Sequence, residues 1–100
     1  MYYFIVNPNS RSGKGALIWK GLEGILNERN VEYKTFFTEY RGHAVLLSKS
    51  ITSDAAPETP VTLIAVGGDG TIQEVLSGVH DLACITFGYI PTGSGNDFCR

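Results

Sequence analysis

Val61-Thr62-Leu63-Ile64-Ala65-Val66-Gly67-Gly68-Asp69-Gly70-Thr71-Ile72-Gln73-Glu74-Val75-Leu76 joins an apolar, β-branched run to a helical pattern through three glycines and one carboxylate. Ile72, Val75, Leu76 and Val79 fall at i, i+3, i+4 and i+7, so residues 61–79 predict a strand, a turn and a helix in succession. A glycine turn at that junction lets backbone approach a ligand closely. The helix start behind it offers unpaired N–H groups and the positive end of the helix dipole to an anion. Asp69 would repel a bare phosphate, so it has to act as a proton acceptor, a metal or water ligand, or a group that orients a hydroxyl. Flanked by glycines, it has no core or helical stripe to serve, which leaves a turn role or a site role. Thr71-Ile72-Gln73-Glu74 also matches a capping box, in which Thr71 and Glu74 would satisfy backbone donors at the helix start.

The same alternation extends to both sides. Tyr2 to Val6 is a short apolar run suited to a strand buried on both faces, ended by Asn7-Pro8-Asn9-Ser10. From about Ser12 to Asn30, Leu17, Ile18, Leu22, Ile25 and Leu26 recur at helical spacing, with Trp19 and Ala16 broadening the stripe. Gly21 and Gly24 weaken that helix, and small residues there would let it pack close to a sheet. Val31 to Thr38 predicts a second strand, Glu39-Tyr40-Arg41-Gly42 a turn, and Ala44, Leu47, Ser48 and Ile51 a second helix. Ser53 to Pro60, with two prolines, is a surface loop, and Leu82 to Ile90 a fourth strand ended by Pro91-Thr92-Gly93-Ser94-Gly95-Asn96. Strands alternating with helices predict an α/β fold: a three-layer α/β/α, Rossmann-like or flavodoxin-like parallel sheet.

Composition narrows the function classes. One hundred residues with 43% hydrophobic side chains support one small core. A net charge of -2, with Lys and Arg scattered singly, argues against nucleic acid as a partner. The apolar runs are short of a membrane span and the N-terminus lacks a basic secretory start, so a cytoplasmic location is expected. Cys84 and Cys99 lack metal-ligand spacing and read as reduced thiols, and His43 and His80 are isolated and receive no role.

Three polar, glycine-bearing loops, 7–15, 67–71 and 92–96, fall at the carboxyl ends of strands, with Thr38 at the same edge. Parallel sheets bind ligands there. The usual phosphate motifs do not fit. Ser10-Arg11-Ser12-Gly13-Lys14-Gly15 has Pro8 where a P-loop needs its first glycine and Gly15 where it needs Ser or Thr. No glycine cluster fits G-x-G-x-x-G, which disfavours a dinucleotide redox domain.

Taken together, Val6-Asn7-Pro8 with Ser10 and Gly13, Gly67-Gly68-Asp69-Gly70-Thr71 with Glu74-Val75, and Ile90-Pro91-Thr92-Gly93-Ser94-Gly95-Asn96-Asp97-Phe98 resemble the diacylglycerol kinase catalytic domain family. That family includes bacterial diacylglycerol kinases and sphingosine and ceramide kinases, with a fold similar to those of NAD kinase and phosphofructokinase. The resemblance spans the chain and implies transfer of the γ-phosphoryl group of ATP, with Mg2+, to a lipid hydroxyl such as that of a diacylglycerol. It implies that Asn7, Ser10 and Gly13 form the first nucleotide loop and that Thr38 touches the nucleotide. Gly67, Gly68, Asp69, Gly70, Thr71 and Glu74 would hold the phosphates, with Ser94 completing the pocket. Asp69 would act on the acceptor hydroxyl or through magnesium-bound water; the metal ligands are not assigned.

Two departures qualify what the resemblance implies. Arg11-Ser12 stands between Ser10 and Gly13, where many relatives run directly from Ser to Gly, so which hydroxyl meets the nucleotide is open. Family members also carry a second, β-rich domain that supplies further acidic residues and much of the lipid site. Residues 1–100 are therefore expected to be the N-terminal nucleotide-binding half, with little or no activity alone. Peripheral membrane contact is expected through the second domain, and a homo-oligomer is left open. A kinase of the same lineage acting on a non-lipid hydroxyl and a non-catalytic nucleotide-binding module are the competing readings.

Overall fold

β1 (Tyr2–Val6) is apolar on both faces and lies inside a four-stranded parallel sheet in the computed structural model, which describes residues 2–53, 55, 58–79 and 82–92. It is followed by α1 (Ser10–Glu28), β2 (Tyr33–Phe37), α2 (His43–Thr52), β3 (Val61–Gly67), α3 (Asp69–Gly78), a 3-10 turn (Leu82–Cys84) and β4 (Ile85–Pro91). The strand order is β2-β1-β3-β4, the flavodoxin-like order for four strands. The order reverses at β1, so right-handed crossovers place α1 on one face and α2 and α3 on the other.

Strand alternation divides the core accordingly. Phe4, Val6 and Val66 pack under Trp19 of α1, with Ile18, Leu22, Leu26, Tyr33 and Ile90 closing around them. Phe4, Trp19 and Tyr33 meet ring to ring, at centroid separations of 4.9, 5.9 and 5.8 Å. The Tyr33 hydroxyl reaches Asn27 Oδ1 at 3.0 Å. Partial burial, reinforced by the Glu23 carboxylate, holds that phenol above its ordinary pKa. Ile5, Leu63 and Ala65 face the other way, onto Ala44 of α2 and Val75 of α3.

α2 and α3 are joined closely. Ser48 Oγ donates to the Val75 carbonyl at 2.6 Å, and Gly78 lies so near α2 that a Cβ there would meet the Val45 carbonyl oxygen and come within 2.8 Å of Ser48 Cβ. Bare backbone at residue 78 is what allows the two helices to share a buried hydroxyl.

Several expectations need correction. Leu17 is 72% and Ile25 51% exposed, because the buried stripe of α1 runs through Ile18, Trp19, Leu22 and Leu26. Gly21 and Gly24 are exposed, and a Cβ at either meets nothing within 4 Å, so neither brings α1 close to the sheet. Gly21→Ala and Gly24→Ala are each expected to stabilise the domain by about 0.5–1 kcal/mol, seen as a rise in thermal unfolding midpoint. β2 starts at Tyr33 rather than Val31, since Asn30 turns left-handed (φ 55) and the Val31 N–H closes α1 by donating to the Leu26 carbonyl at 3.0 Å. The fourth strand starts at Ile85 for a similar reason, the 3-10 turn occupying Leu82–Cys84.

Candidate functional site

The ladder hydrogen bonds run one residue past the strand ends and align the loops. Asn7 N–H donates to the Val66 carbonyl, Thr38 N–H to that of Val6, and Thr92 N–H to that of Gly67, at 2.9, 2.9 and 3.0 Å. The register Val6↔Phe37, Val6↔Val66 and Gly67↔Pro91 thus delivers the described residues that follow β1, β2, β3 and β4 to one edge of the sheet. A cleft of about 410 Å³ opens there, where the strand order reverses. Asn7, Asn9, Thr38, Gly68, Thr71 and Glu74 are among its walls, and its size lies in the range of small-molecule sites.

Its floor is the turn between β3 and α3. Gly68 is the N-cap of α3, with extended backbone and no side-chain cap, and the helix closes with Ile72 N–H donating to the Gly68 carbonyl at 3.1 Å. The N–H groups of Asp69, Gly70 and Thr71 precede that first bond and have no partner within the helix; Gly70 and Thr71 line the cleft, which so meets the positive end of the α3 dipole. A Cβ on Gly70 would meet nothing within 4 Å, leaving that backbone open to approach. Gly67 lies buried beneath. A Cβ there would sit 2.7 Å from both Cβ and Oγ1 of Thr71, so its glycine lets the first turn of α3 settle on the end of β3.

The capping box does not form. α3 begins at Asp69, so Thr71 is inside the first turn, and its hydroxyl accepts from Asn7 Nδ2 at 3.3 Å. Glu74 turns away from its own helix start, and both carboxylate oxygens accept from the Gly42 N–H, at 3.2 and 3.3 Å. Gly42 is the N-cap of α2, so this carboxylate caps the neighbouring helix from α3 and meets the positive end of its dipole. Asn7 has two partners, since its Oδ1 also accepts from Asn9 N–H at 3.1 Å. Asn7 therefore ties the first loop to α3, as Glu74 ties the second.

Of the residues expected at the site, Asn7, Thr38, Gly68, Gly70, Thr71 and Glu74 line the cleft. Asp69 is exposed in the first turn of α3, and Gly13 lies in the first turn of α1 at φ 96; neither is among the described lining residues. Ser10 begins α1, and Ser94 lies outside the described residues. Asn9, Glu39, Tyr40 and Arg41 line the cleft without having been singled out. The available signal was a polar turn directly after a strand end at the edge already assigned to ligands. Among the described residues no group of three His, Cys, Asp or Glu side chains is gathered to hold a metal, and no helix is long and apolar enough to cross a membrane.

Comparison with known proteins agrees with this architecture. Residues 1–100 match the model of the diacylglycerol kinase catalytic domain. The chain is 37% identical over 99 residues to YtlR of Bacillus subtilis (strain 168), covering 99% of this chain and 32% of that protein. It is 37% identical over 73 residues to a ceramide kinase of Arabidopsis thaliana, covering 73% of this chain and 12% of that one. A solved diacylglycerol kinase from Bacillus anthracis str. Sterne superimposes with a TM-score of 0.68 at 25% identity, over 97% of this chain and 34% of that chain. The chain thus spans about a third of the length of YtlR and of the solved kinase.

Proposed function

Because the chain belongs to the diacylglycerol kinase catalytic domain family, we propose that it is the ATP-binding half of a lipid kinase that transfers the γ-phosphoryl group to a lipid hydroxyl. The observation that carries this reading is the α3 start. Gly70 and Thr71, whose N–H groups lack helical partners, line a cleft at the point where the strand order of a parallel sheet reverses. Phosphoryl transfer asks chiefly for positioning and charge neutralisation, and an anion-binding turn supplies both. Arg41 adds a cation to the cleft wall.

In this proposal the nucleotide phosphates lie on Gly68, Gly70 and Thr71, with Asn7 and Thr38 beside them. Asp69, exposed at the same turn, accepts the proton of the incoming hydroxyl while the hydroxyl's oxygen forms a bond to the γ-phosphorus and the bond from that phosphorus to the bridging oxygen breaks, the bridging oxygen leaving with ADP. Magnesium belongs to the proposal through the nucleotide, because that ion needs only one or two carboxylates beside the phosphates and retains water elsewhere. The acceptor is proposed to be diacylglycerol-like, reached by a cytoplasmic enzyme in peripheral contact with a membrane.

Transfer of radiolabelled phosphate from ATP tests the acceptor, using an active chain that contains this domain. Diacylglycerol and ceramide dispersions are offered alongside soluble sugars and nucleosides. A labelled lipid is the expected product. A labelled soluble compound with no labelled lipid would replace the lipid acceptor by the non-lipid one.

A further inference from the structure

The turn 39–42 between β2 and α2 forms one wall of the cleft, and side chains at both its ends add to the backbone bond within it, which runs from the His43 N–H to the Tyr40 carbonyl at 3.1 Å. Its far end is fixed by Glu74 on the Gly42 N–H, with Gly42 itself at φ 88, a left-handed conformation that suits glycine. Its near end is fixed by His43, whose Nδ1 accepts from the Glu39 N–H at 2.9 Å across four residues. An Nδ1 that accepts places the ring proton on Nε2. The imidazole also lies flat on Tyr40, with centroids 4.5 Å apart and planes 10° from parallel. Glu39, Tyr40 and Arg41 line the cleft, whereas His43 is not among its lining residues. Tyr40 is 58% exposed, and the His43 stack covers one face of its ring.

We propose that His43 is a positioning residue for the nucleotide. By holding the Glu39 N–H through Nδ1, it sets the Thr38–Arg41 wall in the shape that receives ATP. The proposal rests on the nucleotide reading of the cleft. Two features of His43 can be separated by substitution: Asn offers Oδ1 near the place of Nδ1 without the aromatic face, and Phe keeps the face without the acceptor.

Titration calorimetry of ATP with magnesium into the full chain, with hydrogen exchange at the Glu39 amide, tests this in wild type, His43→Ala, His43→Phe and His43→Asn. His43→Ala and His43→Phe are expected to raise the Kd about tenfold, the effect of one lost hydrogen bond, and to speed Glu39 exchange. His43→Asn is expected to stay within about twofold of wild type on the same scale. A purely structural role would lower the unfolding midpoint without that rescue pattern. Equal affinity in all four proteins, or affinity retained by Phe and lost by Asn, overturns the proposal. Should His43→Ala fail to fold, the Phe and Asn pair decides alone. A wild-type chain that binds no ATP removes the nucleotide reading itself, and the proposal with it, a result distinct from unchanged binding in the variants.

Discussion

Asp69→Asn, in an active chain containing this domain, is expected to lower kcat/KM for phosphoryl transfer by about 10²- to 10⁴-fold, the range a positioned general base contributes. The affinity for ATP with magnesium should change much less, because the amides at the α3 start, and not Asp69, form the described lining of the cleft. The competing account of this carboxylate is electrostatic. A negative charge in the first turn of an exposed helix stabilises it by about 0.3–1 kcal/mol, with no catalytic part. Initial rates and unfolding midpoints on the same two proteins separate the accounts. A full rate with a slightly lowered midpoint would leave Asp69 as a helix-end charge and nothing more.

Gly78→Ala is expected to destabilise the domain by about 3 kcal/mol, at the upper end of what overpacking costs. The added methyl would meet the Val45 carbonyl oxygen, which is backbone and cannot rotate away, and Ser48 Cβ at 2.8 Å. Relief requires α2 and α3 to separate, which breaks the buried bond from Ser48 Oγ to the Val75 carbonyl. In a domain of this size the unfolding midpoint should fall by on the order of 15 °C. The same substitution at Gly21 or Gly24 should raise it, so four glycine-bearing proteins measured together test the packing with opposite signs. A fall of only a degree or two at Gly78 would mean that the helices are not in that contact.

Most of the architecture follows from local pattern. The unbroken apolar run of β3, the glycines after it and the regular spacing of Ile72, Val75 and Val79 specify strand, turn and helix without help from elsewhere. The order of elements then brings loops 7–9 and 67–71 to one sheet edge, because parallel strands share their carboxyl ends. What was not legible depends on contacts distant in the chain. Gly78 resembles any helix-end glycine until α2 is packed against it. Thr71 and Glu74 have the spacing of a capping box, yet each found a partner 64 and 32 residues away, Asn7 and Gly42. The buried stripe of α1 is not legible from spacing alone, because Leu17 and Ile25 extend its apolar surface beyond the face that Trp19 buries. His43 looked isolated because its partner is the backbone of Glu39, which no residue type announces.

The most direct measurement is a titration of the 15N-labelled 100-residue chain with ATP and magnesium, followed amide by amide. A nucleotide on the α3 start should shift Gly68, Gly70 and Thr71 first, with Asn7, Thr38 and the turn 39–42 moving in the same saturable isotherm. The groove at the opposite end of the sheet, lined by Tyr3, Lys34 and Val61, should remain still. Unmoved Gly68–Thr71 amides at millimolar ATP, or shifts confined to that groove, would contradict the assignment of the cleft as a nucleotide site.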